Sequence, residues 1–142
     1  MKTKLALVIC PQWSVETPSF AIGSLKSHIK NKDVEVEQVD LNILSSLHTQ
    51  QNDIKEFLDW GNDTPWNSES NFKGKILPHF KDLWHEYIDK LAEYDVVAFT
   101  TYISNIVTTD YIARYLKQKN PKIQIWYGGP YSWFADAAGL VE

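Results

Sequence analysis

The chain has 142 residues, about the length of one domain, and its hydrophobic and charged fractions of 44% and 23% are typical of a globular protein rather than a disordered one. The net charge of -4 disfavours broad electrostatic binding to nucleic acid, because such binding needs a basic face that displaces phosphate counterions. The single cysteine, Cys10, excludes an internal disulfide and a cysteine-held metal cluster within this chain, and it favours a reducing, cytoplasmic setting.

The first predicted strand runs from Leu5 to Cys10 and is apolar throughout. It is too short for the apolar region of a signal peptide or for a membrane span, so no membrane partner is expected. Pro11 to Glu16 then form a loop at the carboxyl end of the strand, and a helix begins at Thr17-Pro18. Residues at helical spacing are expected to face the sheet: Ala21, Ile22, Leu25, His28 and Ile29.

The second predicted strand alternates apolar Val34 and Val36 with charged residues, as an outer strand does. Asp40 follows it, where dinucleotide folds place an acidic residue on the ribose, but the first loop lacks the glycine fingerprint that accompanies this contact. Asp40 is therefore interpreted as a turn or ligand-edge residue.

A long interval without a strand pattern separates the second strand from the third. A short helix is expected between Leu44 and Trp60, and residues 45–75 as a whole are predicted as an irregular excursion, whose Trp60 and Trp66 fold back over the core or the ligand edge. A crossover helix follows, with an apolar stripe between Ile76 and Leu91. His79 and His85 do not share a face at metal-binding spacing and are interpreted as surface residues.

The third predicted strand, Val96 to Phe99, is apolar without alternation, which is typical of a strand covered on both faces. Polar residues begin where this strand ends: Thr100, Thr101, Tyr102, Ser104 and Asn105. Ligands of open α/β sheets bind at this carboxyl edge, so these residues are candidates for ligand contact. The alternative is that they cap the next helix.

A fourth strand over Ile123, Ile125 and Tyr127 leads into Gly128-Gly129-Pro130. The glycine pair either lets a ligand approach the backbone or forms a plain strand-to-helix turn. A last helix is expected from Tyr131 to Leu140. The element order predicts a doubly wound, Rossmann-like or flavodoxin-like αβα fold with a parallel sheet of order 2-1-3-4.

Three segments together resemble the amino-terminal cobalamin-binding-type domain of radical SAM proteins. They are Ala6–Pro11 with the helix beyond it, Val36–Asn42, and Val96–Asn105 with the Asn120 to Pro130 succession. The resemblance implies that Thr100 and Tyr102 correspond to the Ser-x-Leu step that flanks the nucleotide tail of cobalamin. It also implies that Gly128 and Gly129 correspond to the glycine pair of that fold, beside Pro130.

The first loop departs from this family, because Pro11 to Glu16 contain no Asp-x-His-x-x-Gly motif. Two interpretations stay open. Either cobalamin binds without a histidine ligand, with Gln12 or Trp13 under the corrin, or the domain has kept the fold and lost the cofactor. In the first case the isolated domain is expected to bind cobalamin weakly or not at all.

The resemblance also implies a downstream radical SAM domain. Its 4Fe-4S cluster and S-adenosylmethionine site need three cysteines at Cys-x-x-x-Cys-x-x-Cys spacing, whereas this chain has one. Residues 1–142 are therefore expected to be the amino-terminal piece of a longer enzyme, without catalysis of their own and with a fourth strand whose open edge favours self-association. The alternative is an independent flavodoxin-like or glycosyltransferase-like nucleotide-binding domain.

Overall fold

The computed structural model describes residues 2–16, 19–30, 33–52, 54 and 64–131. The predicted helix start at Thr17-Pro18, the prediction for Trp60, and all but the first residue of the predicted last helix lie outside the described residues.

Four parallel strands form one sheet in the order β2-β1-β3-β4. The strands are β1 (Thr3–Ile9), β2 (Val34–Asp40), β3 (Val96–Thr100) and β4 (Gln124–Gly128). The doubly wound fold and the strand order predicted from the sequence are confirmed. Ile9 pairs with Thr100, which pairs with Gly128, so the loops that follow these three strands start from one edge of the sheet.

The described helices are α1 (Phe20–His28), α2 (Leu41–Asn52), α3 (Thr64–Asn67), α4 (Glu69–Asn71), a π-helical turn (Phe72–Ile76), α5 (Leu77–Leu91) and α6 (Ile106–Lys119). They are unequally divided between the two faces of the sheet. The face that carries Val8 and Phe99 packs against α2, α5 and α6 in a large core. The face that carries Leu7 and Val96 packs, among the described helices, against α1 alone.

Apart from Ile54 and Ser68, the described part of residues 45–75 is helical, which includes the short helix expected between Leu44 and Trp60 and otherwise differs from the irregular excursion predicted. Trp66 and Phe72 are each only 1% exposed. The Phe72 ring stacks on Trp84 of α5 with 5.9 Å between centroids, and Trp66 lies 6.0 Å from Phe80. Burial of these aromatic rings fixes the segment on the large core, so the predicted return of Trp66 over the core is confirmed.

Helix α1 covers less of the sheet than its apolar spacing predicts. Ile22 is buried and Ile29 half-buried, but Leu25 is 51% exposed and His28 is also exposed. The predicted stripe is therefore wrong at Leu25 and His28. A helix of nine residues contacts β1 and β2, and its flank faces the half of the sheet over β3 and β4. We call this part of the sheet the bare half, since none of the described helices covers it. In the described part of the chain, no helix has the length and apolar character needed to cross a membrane.

Candidate functional site

Loops that follow β1 and β3 are joined by hydrogen bonds at the carboxyl edge of the sheet. Ser104 Oγ donates to the carbonyl oxygen of Gln12 at 2.7 Å, and the Gln12 amide donates to the Ser104 carbonyl at 3.4 Å. Pro11 and Gln12 are buried beside them. The sequence-predicted residues of both loops therefore lie together, but Ser104 uses its hydroxyl to hold the neighbouring loop.

Asn105 is fully buried and bonds to both loops. Its Nδ2 donates to the carbonyl oxygens of Thr100, at 3.1 Å, and Cys10, at 3.3 Å. Its Oδ1 accepts from the Tyr102 amide at 2.8 Å. Asn105 precedes α6, yet its side chain caps no amide of that helix. The alternative that Asn105 caps this helix through its side chain is therefore wrong, and its amide group satisfies the backbone of the two loops.

The glycine pair follows β4 and lies against the end of β3. The amide and the hydroxyl of Thr101 both donate to the Gly128 carbonyl at 2.7 Å. Gly129 has a φ of +96°, and a Cβ atom there would lie 2.8 Å from the Thr101 carbonyl oxygen. A Cβ on Gly128 would meet nothing closer than the Phe99 carbonyl oxygen at 3.9 Å. The lack of a side chain at Gly129 therefore allows the backbone after β4 to lie against the backbone of Thr101. At Gly128 the lack of a side chain leaves open space beside the sheet.

Trp13 and Tyr102 form a stacked pair at the same edge, with 4.1 Å between ring centroids and an interplanar angle of 23°. The loop of Trp13 is held by Asn42, a buried residue of α2. Asn42 Oδ1 accepts from the Trp13 amide at 2.9 Å, and its Nδ2 donates to the Ser14 carbonyl at 3.3 Å. Sequence reasoning missed this anchoring role of Asn42, although an amide two residues after the end of a strand is a signal for one.

Asp40 is the last residue of β2 and directly precedes α2. Its Oδ1 accepts from the Ile43 amide at 2.8 Å, which is the bond of a helix cap. Burial raises the pKa of this carboxyl group above its ordinary value. The interpretation of Asp40 as a turn residue agrees with this geometry.

A groove with a volume of about 300 Å³ lies between α1 and the bare half of the sheet. Five sequence-predicted residues line it, namely Thr100, Tyr102, Gly128, Gly129 and Pro130. Sequence reasoning missed its other walls, which are Leu7, Ala21, Leu25, Ala98, Phe99, Trp126 and Tyr127. No lining residue carries a charge, so the groove suits an apolar or neutral group.

The histidines lie on helices and make contacts away from this edge. His28 donates from Nδ1 to the Ser24 carbonyl at 2.8 Å, and His48 donates from Nε2 to the His79 carbonyl at 3.1 Å. His85 is half-buried rather than freely exposed: its Nε2 lies 2.8 Å from the Tyr111 hydroxyl and its ring stacks on Tyr115. The described residues contain no group of three or more His, Cys, Asp or Glu side chains that could hold a metal ion.

Cys10 is fully buried at the end of β1, one position after the last strand residue. Desolvation raises the pKa of its thiol to about 12, and a bond from Thr109 only partly opposes this shift. The thiol is therefore protonated at neutral pH, and it is neither a nucleophile nor a metal ligand in this state.

Comparison of the chain with protein-family models, with curated proteins and with solved structures finds no match.

Proposed function

We propose that this domain is an amino-terminal cobalamin-binding module that presents the cofactor or a substrate to a downstream radical SAM domain. The observation that best supports the proposal is the uncharged groove, which opens beside the glycine pair and the Thr100 to Tyr102 segment. These are the positions that the resemblance to cobalamin-binding-type domains assigns to the nucleotide tail.

The groove is large enough for the nucleotide tail of cobalamin but not for the whole cofactor. About 300 Å³ lies at the lower end of the volumes of small-molecule sites. A corrin ring does not fit into this space, but a flat heteroaromatic base does. Trp126 and Tyr102 supply aromatic walls for such a base, and Gly128 supplies a wall without a side chain.

The corrin itself would then lie over the loops at the edge of the sheet. Gln12 or Trp13 would lie under it; Gln12 is buried, whereas Trp13 is half-buried, and its stack on Tyr102 would supply a flat aromatic surface there. None of the four histidines belongs to the loops at this edge, so the module would hold cobalamin without a histidine ligand to cobalt. Bound cobalamin would supply alkyl-group transfer to the parent enzyme.

The remaining parts of the proposal concern the parent protein, a cytoplasmic enzyme. Its 4Fe-4S cluster and S-adenosylmethionine would be bound downstream, because this chain has one cysteine and that cysteine is buried. The parent would be a methyltransferase or another enzyme that forms carbon–carbon or carbon–sulfur bonds. Among the described residues β4 pairs with β3 alone, and we propose that its other edge would favour self-association.

The alternative, a nucleotide-binding domain of flavodoxin-like or glycosyltransferase-like type, is less well supported. Such a domain needs donors for phosphate groups, which a glycine-rich loop at a helix start commonly provides. The groove lacks a charged wall, and Pro11 to Glu16 contain no glycine.

Titration of hydroxocobalamin into the purified chain tests the proposal. We expect weak, saturable binding with an absorbance spectrum that lacks a nitrogen lower ligand from the protein. Parallel titration with ATP and with a flavin nucleotide serves as the control. A histidine-ligated spectrum would contradict the proposed mode of binding, and tighter binding of either nucleotide would favour the alternative.

A further inference from the structure

The two rings of the Trp13–Tyr102 stack lie on residues whose backbone amides are held in the same way. The Trp13 amide donates to Oδ1 of Asn42 at 2.9 Å, and the Tyr102 amide donates to Oδ1 of Asn105 at 2.8 Å. Both asparagines are buried. A buried amide group whose bonds are satisfied is rigid and holds its partners in one arrangement. The stack is therefore positioned from two sides, by α2 and by the residue that precedes α6.

The two asparagines differ in what else they hold. Asn105 also donates to two carbonyl oxygens at the ends of β1 and β3, so it fixes the edge of the sheet itself. The second bond of Asn42 goes from Nδ2 to the Ser14 carbonyl at 3.3 Å, so both of its loop partners are neighbours in the segment after β1. Ser14 is exposed and Trp13 half-buried, so water can reach their backbone groups when Asn42 is replaced. Removal of Asn42 should therefore loosen the loop while leaving the sheet intact.

The start of this loop is fixed independently of Asn42. Gln12 is buried and exchanges two hydrogen bonds with Ser104, through its carbonyl oxygen and its amide. Trp13 is the next residue along the chain, and it is the point at which the bonds from Asn42 take over. Asn42 thus controls the part of the loop that carries the aromatic ring.

We infer that Asn42 is a positioning residue for a ligand that rests on the Trp13–Tyr102 stack, and that it acts through its bond to the Trp13 backbone. The identity of the ligand, cobalamin, rests on the proposed function, whereas the effect of Asn42 on the stack does not. Without Asn42 the loop has to be ordered when the ligand binds, and ordering the backbone of one residue lowers affinity by about tenfold. A stack that is already in place avoids this loss.

Near-ultraviolet circular dichroism of the cofactor-free chain tests the effect on the stack. Aromatic rings in fixed packing give signals in this region, and loosened rings lose them. We expect Asn42→Ala to lose the part of the spectrum that Trp13→Ala also loses. Thr49→Ala is the matched control, because Thr49 is a buried polar residue of the same helix whose hydroxyl donates to Ser46 and not to the loop. An unchanged spectrum in Asn42→Ala, or an equal loss in Thr49→Ala, would overturn the inference.

Titration of hydroxocobalamin into the same variants tests whether Asn42 acts through Trp13. We expect the dissociation constant to rise by at least about tenfold in Asn42→Ala and to stay within about twofold of the native value in Thr49→Ala. The double variant Asn42→Ala, Trp13→Ala should bind no more weakly than Trp13→Ala alone, because the two residues then act as one unit. Effects that multiply in the double variant would contradict the inference.

The two measurements separate the role of Asn42 from the proposed function. Cobalamin binding that Asn42→Ala leaves unchanged would overturn the role of Asn42 and leave the proposed function standing. A native chain that binds no cobalamin would contradict the proposed function alone. The spectra then decide on Asn42, whose positioning role holds if Asn42→Ala loses the Trp13 signal and Thr49→Ala keeps it.

Discussion

The Nδ2 atom of Asn105 lies 3.3 Å from the carbonyl oxygen of Cys10, and this bond ties the ends of β1 and β3 together across 95 positions of sequence. Asn105 also donates to Thr100 and accepts from Tyr102. Together with the two bonds between Ser104 and Gln12, this buried amide group holds the loops after β1 and β3 close together, and with them the stacked rings of Trp13 and Tyr102.

Replacing Asn105 should therefore destabilise the whole edge. We expect Asn105→Ala to lower the free energy of unfolding by about 2–4 kcal/mol, because it leaves buried backbone groups without partners. Ser104→Ala, which removes one bond of a half-buried hydroxyl, should cost about 1 kcal/mol. Urea denaturation measures both values. Equal costs for the two variants would contradict the central role of Asn105.

The two glycines after β4 should respond differently to alanine. Gly129→Ala places a methyl group 2.8 Å from the Thr101 carbonyl oxygen at a φ of +96°, so we expect a loss of about 1–3 kcal/mol in unfolding free energy. Gly128→Ala meets its nearest atom at 3.9 Å and should be nearly neutral. Thermal and urea unfolding of both variants test this difference, and a reversed order would refute the backbone-approach explanation for Gly129.

The sequence predicted the fold more completely than the roles of individual site residues. The apolar runs of β1 and β3 predict central strands covered on both faces, and the alternation in β2 predicts an outer strand, in agreement with the order β2-β1-β3-β4. The bond between Asn105 and the Cys10 carbonyl joins residues that are 95 positions apart. A local sequence pattern around Asn105 does not show that Cys10 lies next to it, so this role could not be predicted. The groove was missed for the same reason: Ala98, Leu25 and Trp126 are ordinary apolar residues until the sheet brings them together.

Trp66 and Trp126 are a matched pair for testing whether the helical segment around α3 belongs to the core. Trp66 is 1% exposed and Trp126 54% exposed. Trp66→Ala should lower the unfolding free energy by about 3–5 kcal/mol, because it leaves a large cavity. We expect Trp126→Ala to cost less than about 1.5 kcal/mol. Chemical denaturation of the two variants distinguishes a core segment from a surface excursion, for which the two costs would be similar.

Stability should fall in alkaline solution, beginning with Cys10. The folded-state pKa of its thiol, about 12, lies above the ordinary value of 9.0, so the folded protein holds this proton more tightly than the unfolded chain. The stabilising contribution is complete below pH 9 and is lost as pH rises toward 12. Tyr94 and Tyr127, raised from 10.0 to about 12, act in the same direction from pH 10 upward.

Cys10 titrates first, because the ordinary pKa of its thiol, 9.0, lies below the 10.0 of these tyrosines. Urea denaturation between pH 8 and 10 should therefore show the unfolding free energy decreasing with pH more steeply in the native chain than in Cys10→Ala, in which only the tyrosines contribute. The absolute stability of the variant is lower because of its cavity, so the two slopes are compared. Equal slopes in the two chains would assign the effect to groups other than Cys10.

The most direct measurement of the central claim compares hydroxocobalamin with cobinamide, which lacks the nucleotide tail, in parallel titrations of the native chain and Gly128→Leu. Leucine at this position fills the groove without a backbone clash, and the unfolding free energy of the variant serves as the control. If the groove holds the tail, cobinamide should bind at least about tenfold more weakly than cobalamin, and Gly128→Leu should reduce cobalamin binding to the level of cobinamide. Equal binding of the two compounds, or cobalamin binding that Gly128→Leu leaves unchanged, would contradict the account.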